Sequence, residues 1–217
     1  MNKEKKNSAK DHIFEYSLVI LGESRVGKTC LFRKIEIEEF EENKISTVGV
    51  SRHTFSDMRT YNKQVLFCLY DTASDPSQRG LIEPNIDNSD GALILYDITN
   101  KKSFDCVAKW INLINNNKKI KDKNTYTIFL MGNKSDLASE EEKREVSLNE
   151  AKSTYSKDKV EFVGEISTKY ITVEDLKKKF EGFFDAIYNK RKNKKENPSK
   201  CCECCECCEC CKCCKCF

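Results

Sequence analysis

No apolar run in this 217-residue chain approaches the roughly 18 residues that a membrane-crossing helix needs, so no membrane span is expected. The opening residues, MNKEKKNSAKDH, also lack the apolar stretch of a signal peptide. Before residue 200 cysteine is scarce: Cys30, Cys68 and Cys106 are the only ones. That usage excludes a disulfide scaffold and suits a reduced, cytosolic domain. Histidine is rarer still, and His12 and His53 both read as incidental. Charge of either sign is not in excess, with 38 basic and 35 acidic residues giving +3, so the balance does not point to a nucleic-acid partner.

What is present is an alternation of apolar runs and helical stripes. Strand-type runs lie at 13–21, 50–59, 65–70, 92–96, 128–131 and 160–163. Helices are expected from about residue 28 to 37, and along Phe104, Val107, Trp110, Ile111 and Ile114, which makes Trp110 a core residue. A further helix is capped by Ser147 and runs to Tyr155. A last one carries Val173, Leu176, Phe180, Phe183 and Ile187 on one face. Residues 72–90, with Pro76, Gly80 and Pro84, read as a mobile loop holding at most a short helix. This order predicts an α/β fold, a doubly wound, mostly parallel six-stranded sheet flanked by helices, with its ligand at the carboxyl ends of the strands. The expected domain runs from 12 to 190, between a flexible N-terminus (1–11) and a disordered basic and Cys-rich tail (191–217).

Four of the loops that follow strands carry nucleotide chemistry. The stretch LVILGESRVGKTCLF (18–32) holds the G-x-x-x-x-G-K-[ST] pattern between a strand and a helix. Its residues Gly22, Glu23, Ser24, Arg25, Val26, Gly27, Lys28, Thr29 and Cys30 form the expected phosphate-binding set. Gly22 and Gly27 let the backbone curl its N–H groups inward, Lys28 reaches the β- and γ-phosphates, and the Thr29 hydroxyl ligates Mg²⁺. Thr47 stands where its hydroxyl can complete the Mg²⁺ shell. Asp71 ends a buried strand and is placed to hold the same ion through water. In Asn133-Lys134-Ser135-Asp136, the carboxylate can accept two hydrogen bonds from guanine, which adenine cannot offer.

With these motifs in this order, the sequence resembles the Ras superfamily of small GTPases, and within it the Rab branch, over roughly residues 12 to 190. ISTVGV (45–50) is similar to the Rab first switch, and DITNKKSFDCVAKW (97–110) and GNKSD (132–136) are similar to later family motifs. The resemblance implies that Phe40 leans on the guanine ring, that Lys134 covers a ring face, and that Ser167, Thr168 and Lys169 of EISTK approach the base. It also implies GTP/GDP and Mg²⁺ as ligands, GTP hydrolysis, effector, exchange and activating proteins as partners, a monomer, and a place on the cytoplasmic face of endomembranes, cycling with cytosol.

The second switch departs from the family. Where relatives read Asp-Thr-Ala-Gly-Gln-Glu, this chain has Asp71-Thr72-Ala73-Ser74-Asp75-Pro76. Ser74 replaces the Gly whose amide contacts the γ-phosphate, and Asp75 replaces the Gln that orients the attacking water, so hydrolysis is expected to be slow or absent. Arg52, Gln78, Asn85, Ile86 and Asp87 also depart from the usual partner surface. Arg25, where relatives carry a small residue, is either a solvent-facing side chain or a built-in arginine finger. Asp75, Ser74 and Arg25 are therefore the residues on which turnover depends.

The other eleven cysteines all follow residue 200, in a Cys-Cys-x repeat that ends Cys214-Lys215-Cys216-Phe217. The resemblance and the C-a-a-X ending imply geranylgeranylation, and the upstream Lys190, Arg191, Lys192, Lys194 and Lys195 would add a second, electrostatic anchoring signal. A thiolate-rich metal site is the competing reading of the tail. A nucleotide-binding pseudo-GTPase scaffold is the competing reading of the body.

Overall fold

A computed structural model describes residues 14–40, 47, 49–60, 63–74, 76–139, 143–156 and 159–196. Asp75 and the cysteine repeat lie outside them. Six strands form one sheet in the order β2-β3-β1-β4-β5-β6. They are β1 (Phe14–Leu21), β2 (Val50–Thr60), β3 (Lys63–Thr72), β4 (Gly91–Asp97), β5 (Thr127–Asn133) and β6 (Val160–Glu165). Only β2 runs antiparallel to its neighbour. This is the expected doubly wound α/β architecture.

Helices cover both faces of the sheet, so the central strands are apolar on both sides. Along β1, Leu18 and Ile20 face one core while Val19 and Leu21 face the other. The first core is closed by α1 (Lys28–Glu36) and α6 (Val173–Glu196), and its centre is aromatic. Phe184 packs on Tyr16 and Phe67 with ring centroids 5.4 and 4.6 Å apart, and Phe183 stacks on Phe129 at 4.5 Å. The second core takes Trp110, Ile111 and Ile114 from α4 (Val107–Asn116) and Ala151 from α5 (Leu148–Thr154). The Ser147 hydroxyl caps α5 by accepting from the Glu150 N–H at 3.1 Å.

In three stretches the structure adds detail to the sequence reading, the first being the short helix allowed within 72–90. Over 72–90 the chain forms a 3-10 turn, Pro76–Gln78, and the nine-residue helix α2, Arg79–Asp87. Its two buried contacts, Ile82 and Ile86, lie one turn apart and are too few to mark a periodic stripe. The helix expected through Phe104 and Val107 is broken at Cys106 into α3 (Lys101–Asp105) and α4. The domain boundary expected at 190 falls inside α6, which continues to Glu196.

Among the described residues, no helix is long and apolar enough to cross a membrane. With β1 between β3 and β4, the chain winds to one side of the sheet and then to the other. The loop after β1 thus stands at the point where the winding reverses.

Candidate nucleotide-binding site

The loop between β1 and α1 is shaped by two left-handed glycines. Gly22 has φ 140° and Gly27 has φ 100°, and a Cβ on either would stand 2.3 Å from another atom, the Leu95 carbonyl oxygen or Asn133 Nδ2. Neither position can take a side chain without rearrangement. Arg25 also has a positive φ, 65°, and its side chain is exposed.

Lys28 opens α1 and is only 6% exposed. Its ammonium donates to the Gly22 and Glu23 carbonyls, both at 2.9 Å, and to Ser74 Oγ at 2.5 Å. Burial pushes its pKa down to about 8, against the opposing pull of Asp71. Burial likewise raises the Asp71 carboxyl, opposed by the Thr29 hydrogen bond and by Lys28. An anion beside Lys28 and a cation beside Asp71 would each favour the charged form that burial disfavours.

The residues expected to hold Mg²⁺ are brought together from three segments. Thr29 Oγ1 lies 2.6 Å from Thr47 Oγ1 and donates to Asp71 Oδ2 at 2.7 Å. Asp71 Oδ1 is a buried oxygen with no hydrogen-bond partner among the described residues. Two hydroxyls and a half-satisfied carboxylate form an all-oxygen set, which suits a hard divalent cation such as Mg²⁺.

The base-side loops are joined to the phosphate loop through Asn133. Its Nδ2 donates to the Val26 carbonyl at 2.8 Å, while its Oδ1 accepts from the Thr168 N–H at 3.1 Å and the Thr168 hydroxyl at 2.9 Å. Lys134, at φ 65°, pairs with Asp97 at 2.6 Å. Asp136 is half-buried on the following 3-10 turn, and Ser167 and Lys169 flank the buried Thr168. Phe40 is half-buried beyond the end of α1.

Several links were not read from the sequence. The Ser74 bond to Lys28 is one. Another is the Gly49 N–H donating to Gln78 Oε1 at 2.6 Å, while the Ala73 N–H donates to the Gly49 carbonyl at 3.0 Å. These two bonds tie the start of β2 to the chain leaving β3. The role of Asp97 had a usable signal, since it ends the buried strand β4 as Asp71 follows the buried core of β3.

Residues 17–189 match the Ras family. Ras-related protein Rab-11B of Dictyostelium discoideum is 33% identical over 171 residues, covering 79% of this chain and 73% of that protein. Ras-related protein RABA5e of Arabidopsis thaliana is 32% identical over 182 residues, covering 84% of this chain and 78% of that protein. Ras-related protein Rab-11A of Dictyostelium discoideum is 32% identical over 184 residues, covering 85% and 81%.

Proposed function

The chain belongs to the Rab branch of the Ras superfamily of small GTPases, and on that premise we propose that it is a Mg²⁺-dependent, membrane-anchored GTP/GDP switch in vesicle-mediated intracellular protein transport, with slow intrinsic hydrolysis. The observation that carries this reading is the meeting of Thr29, Thr47 and Asp71, from three separate segments, beside the same loop as buried Lys28.

In this reading the amides of the β1–α1 loop and Lys28 hold the phosphates. Thr29 and Thr47 ligate Mg²⁺ and Asp71 supports it. Bound there, the ion neutralises charge on the terminal phosphates. Asp136 selects guanine by accepting from its ring and exocyclic N–H groups, Lys134 and Phe40 cover the base, and Asn133 fixes the loops around it. Thr47 precedes β2 and touches Thr29, and Ser74 follows β3 and touches Lys28, so both stand where a terminal phosphate would be sensed, and effectors would read that response.

Asp75 stands where relatives carry the water-orienting Gln, and its shorter, anionic side chain is unsuited to that task beside the phosphates. A single-turnover measurement on Mg²⁺·GTP-loaded protein tests this. Slow release of phosphate is expected, rising about tenfold or more in Asp75→Gln. A wild-type rate already typical of relatives would overturn the expectation. The same erosion favours the second reading, a pseudo-GTPase scaffold, which multi-turnover assays with activating proteins would distinguish by showing no acceleration.

Anchoring is assigned to the cysteine repeat, with prenylation of the terminal Cys-Lys-Cys-Phe and acylation of upstream cysteines. In this reading the protein works on the cytoplasmic face of endomembranes and cycles with the cytosol. Intact mass from a eukaryotic host is expected to show prenyl increments.

A further inference from the structure

Of the three expected Mg²⁺ ligands, Thr29 lies in α1 and Asp71 in β3, whereas Thr47 precedes β2 and belongs to no helix or strand. Its position depends on the residues that follow. Gly49 is two residues on, so their α-carbons are at most about 7 Å apart, and whatever grips Gly49 limits where the Thr47 hydroxyl can go. Both backbone groups of Gly49 are gripped. Its carbonyl accepts from the Ala73 N–H at 3.0 Å, which prolongs the β2–β3 ladder one step past the Val50–Thr72 pair. Its N–H takes a different partner. At φ 79° Gly49 has left the extended conformation of a strand, and the N–H donates to Gln78 Oε1 at 2.6 Å, on the 3-10 turn that leads into α2.

Resting on the Mg²⁺·nucleotide reading above, we propose that Gln78 is a positioning residue for the cation site, holding Gly49 through its side-chain carbonyl and so keeping the Thr47 hydroxyl at ligand spacing from Thr29. Oxygens bound side by side in an Mg²⁺ octahedron, each about 2.0–2.1 Å from the ion, stand about 2.9 Å apart. The Thr29 and Thr47 hydroxyl oxygens are 2.6 Å apart, within a few tenths of an ångström of that spacing. A side-chain amide suits the task, because its carbonyl oxygen is an acceptor at the end of a side chain long enough to cross from the turn to the start of β2. An aliphatic chain of equal length would leave the Gly49 N–H to water and loosen the segment that carries Thr47. The link also runs the other way. A shift of the turn that opens α2 reaches the ion through Gly49 and Thr47, so the cation site and both switch segments respond together.

The test uses full-length protein loaded with a fluorescent, non-hydrolysable GTP analogue, with free Mg²⁺ set by a chelator buffer and its midpoint read from the release rate of the analogue. Gln78→Met keeps the length and loses the acceptor, and its midpoint is expected to rise about fivefold, the scale of one neutral hydrogen bond. Gln78→Glu keeps an acceptor at the same reach and should not raise it. Thr47→Ala removes the ligand itself and should raise the midpoint at least as far. Adding Gln78→Met to Thr47→Ala should then change nothing more, because a residue that acts only through Thr47 has nothing left to position. A merely structural role for Gln78 would give the same rise in both backgrounds, and that result overturns the proposal. So does an unmoved midpoint in Gln78→Met or in Thr47→Ala, or a rise in Gln78→Glu. Wild-type release that is indifferent to Mg²⁺ would instead overturn the reading beneath it.

Discussion

Asn133 touches the phosphate loop with one end of its amide and the last base-side loop with the other. Truncation to Ala leaves the Val26 carbonyl and the Thr168 N–H and hydroxyl without that partner in a buried place, at about 1–3 kcal/mol for each unsatisfied group. Asn133→Ala is thus expected to lower Tm by several degrees and to weaken GDP binding at least about tenfold, as read by thermal melting and titration. Arg25 offers the opposite case. Its left-handed backbone suits glycine, so Arg25→Gly is expected to stabilise the protein by about 1 kcal/mol and to leave single-turnover hydrolysis unchanged if the side chain only faces solvent. A large fall in rate would instead assign its guanidinium to the reacting phosphate. That Thr29, Thr47 and Asp71 belong to one site was legible because Thr29 closes the phosphate-loop pattern, Asp71 lies at the end of an apolar strand and Thr47 lies in ISTVGV; the structure brings their side chains together. The Ser74–Lys28 bond was not legible, since it depends on how two loops 46 positions apart meet in space.

The C-terminal end of α6 changes the meaning of the basic cluster. Lys190 pairs with Glu161 at 2.5 Å, Arg191 with Asp90, and Lys194 with Asp122 at 2.8 Å. Arg191 also lies over the Tyr16 ring, 5.4 Å from its centroid. These cations fasten the helix to the body, so less of their charge is left for an anionic membrane than the sequence implied. Asp90 is the central partner, because it also accepts from the Ser17 N–H at 2.8 Å and the Ser17 hydroxyl at 3.3 Å. Asp90→Ala is expected to cost about 1–3 kcal/mol, and Arg191→Ala about 1 kcal/mol or less, as a partly exposed pair. Thermal melts of the two variants check that order. Elements with long apolar stripes, such as α6, were legible; α2 was obscured because Pro84 lies inside it and, among its described side chains, only Ile82 and Ile86 are buried apolar ones.

Taken together, the sheet brings chemistry from β1, β3, β4 and β5 to one edge, at the place where its winding reverses. That arrangement was legible from the order of strands and helices, because each buried strand is apolar on both faces and ends near a polar or acidic residue. The tail at 201–217 carries no core-forming pattern, and its role rests on chemistry rather than on fold. With the basic end of α6 paired to the body, deletion of 201–217 is expected to abolish sedimentation with membranes from a eukaryotic host while leaving GDP affinity intact. The most direct test of the central claim is a competition titration of purified full-length protein with guanine and adenine diphosphates, in Mg²⁺ and in chelator. The account predicts that GDP binds more tightly than ADP on the order of 10⁴-fold, as expected where a buried site hydrogen-bonds its ligand, and that the chelator weakens GDP binding. Equal binding of the two bases, or GDP binding indifferent to Mg²⁺, would contradict it.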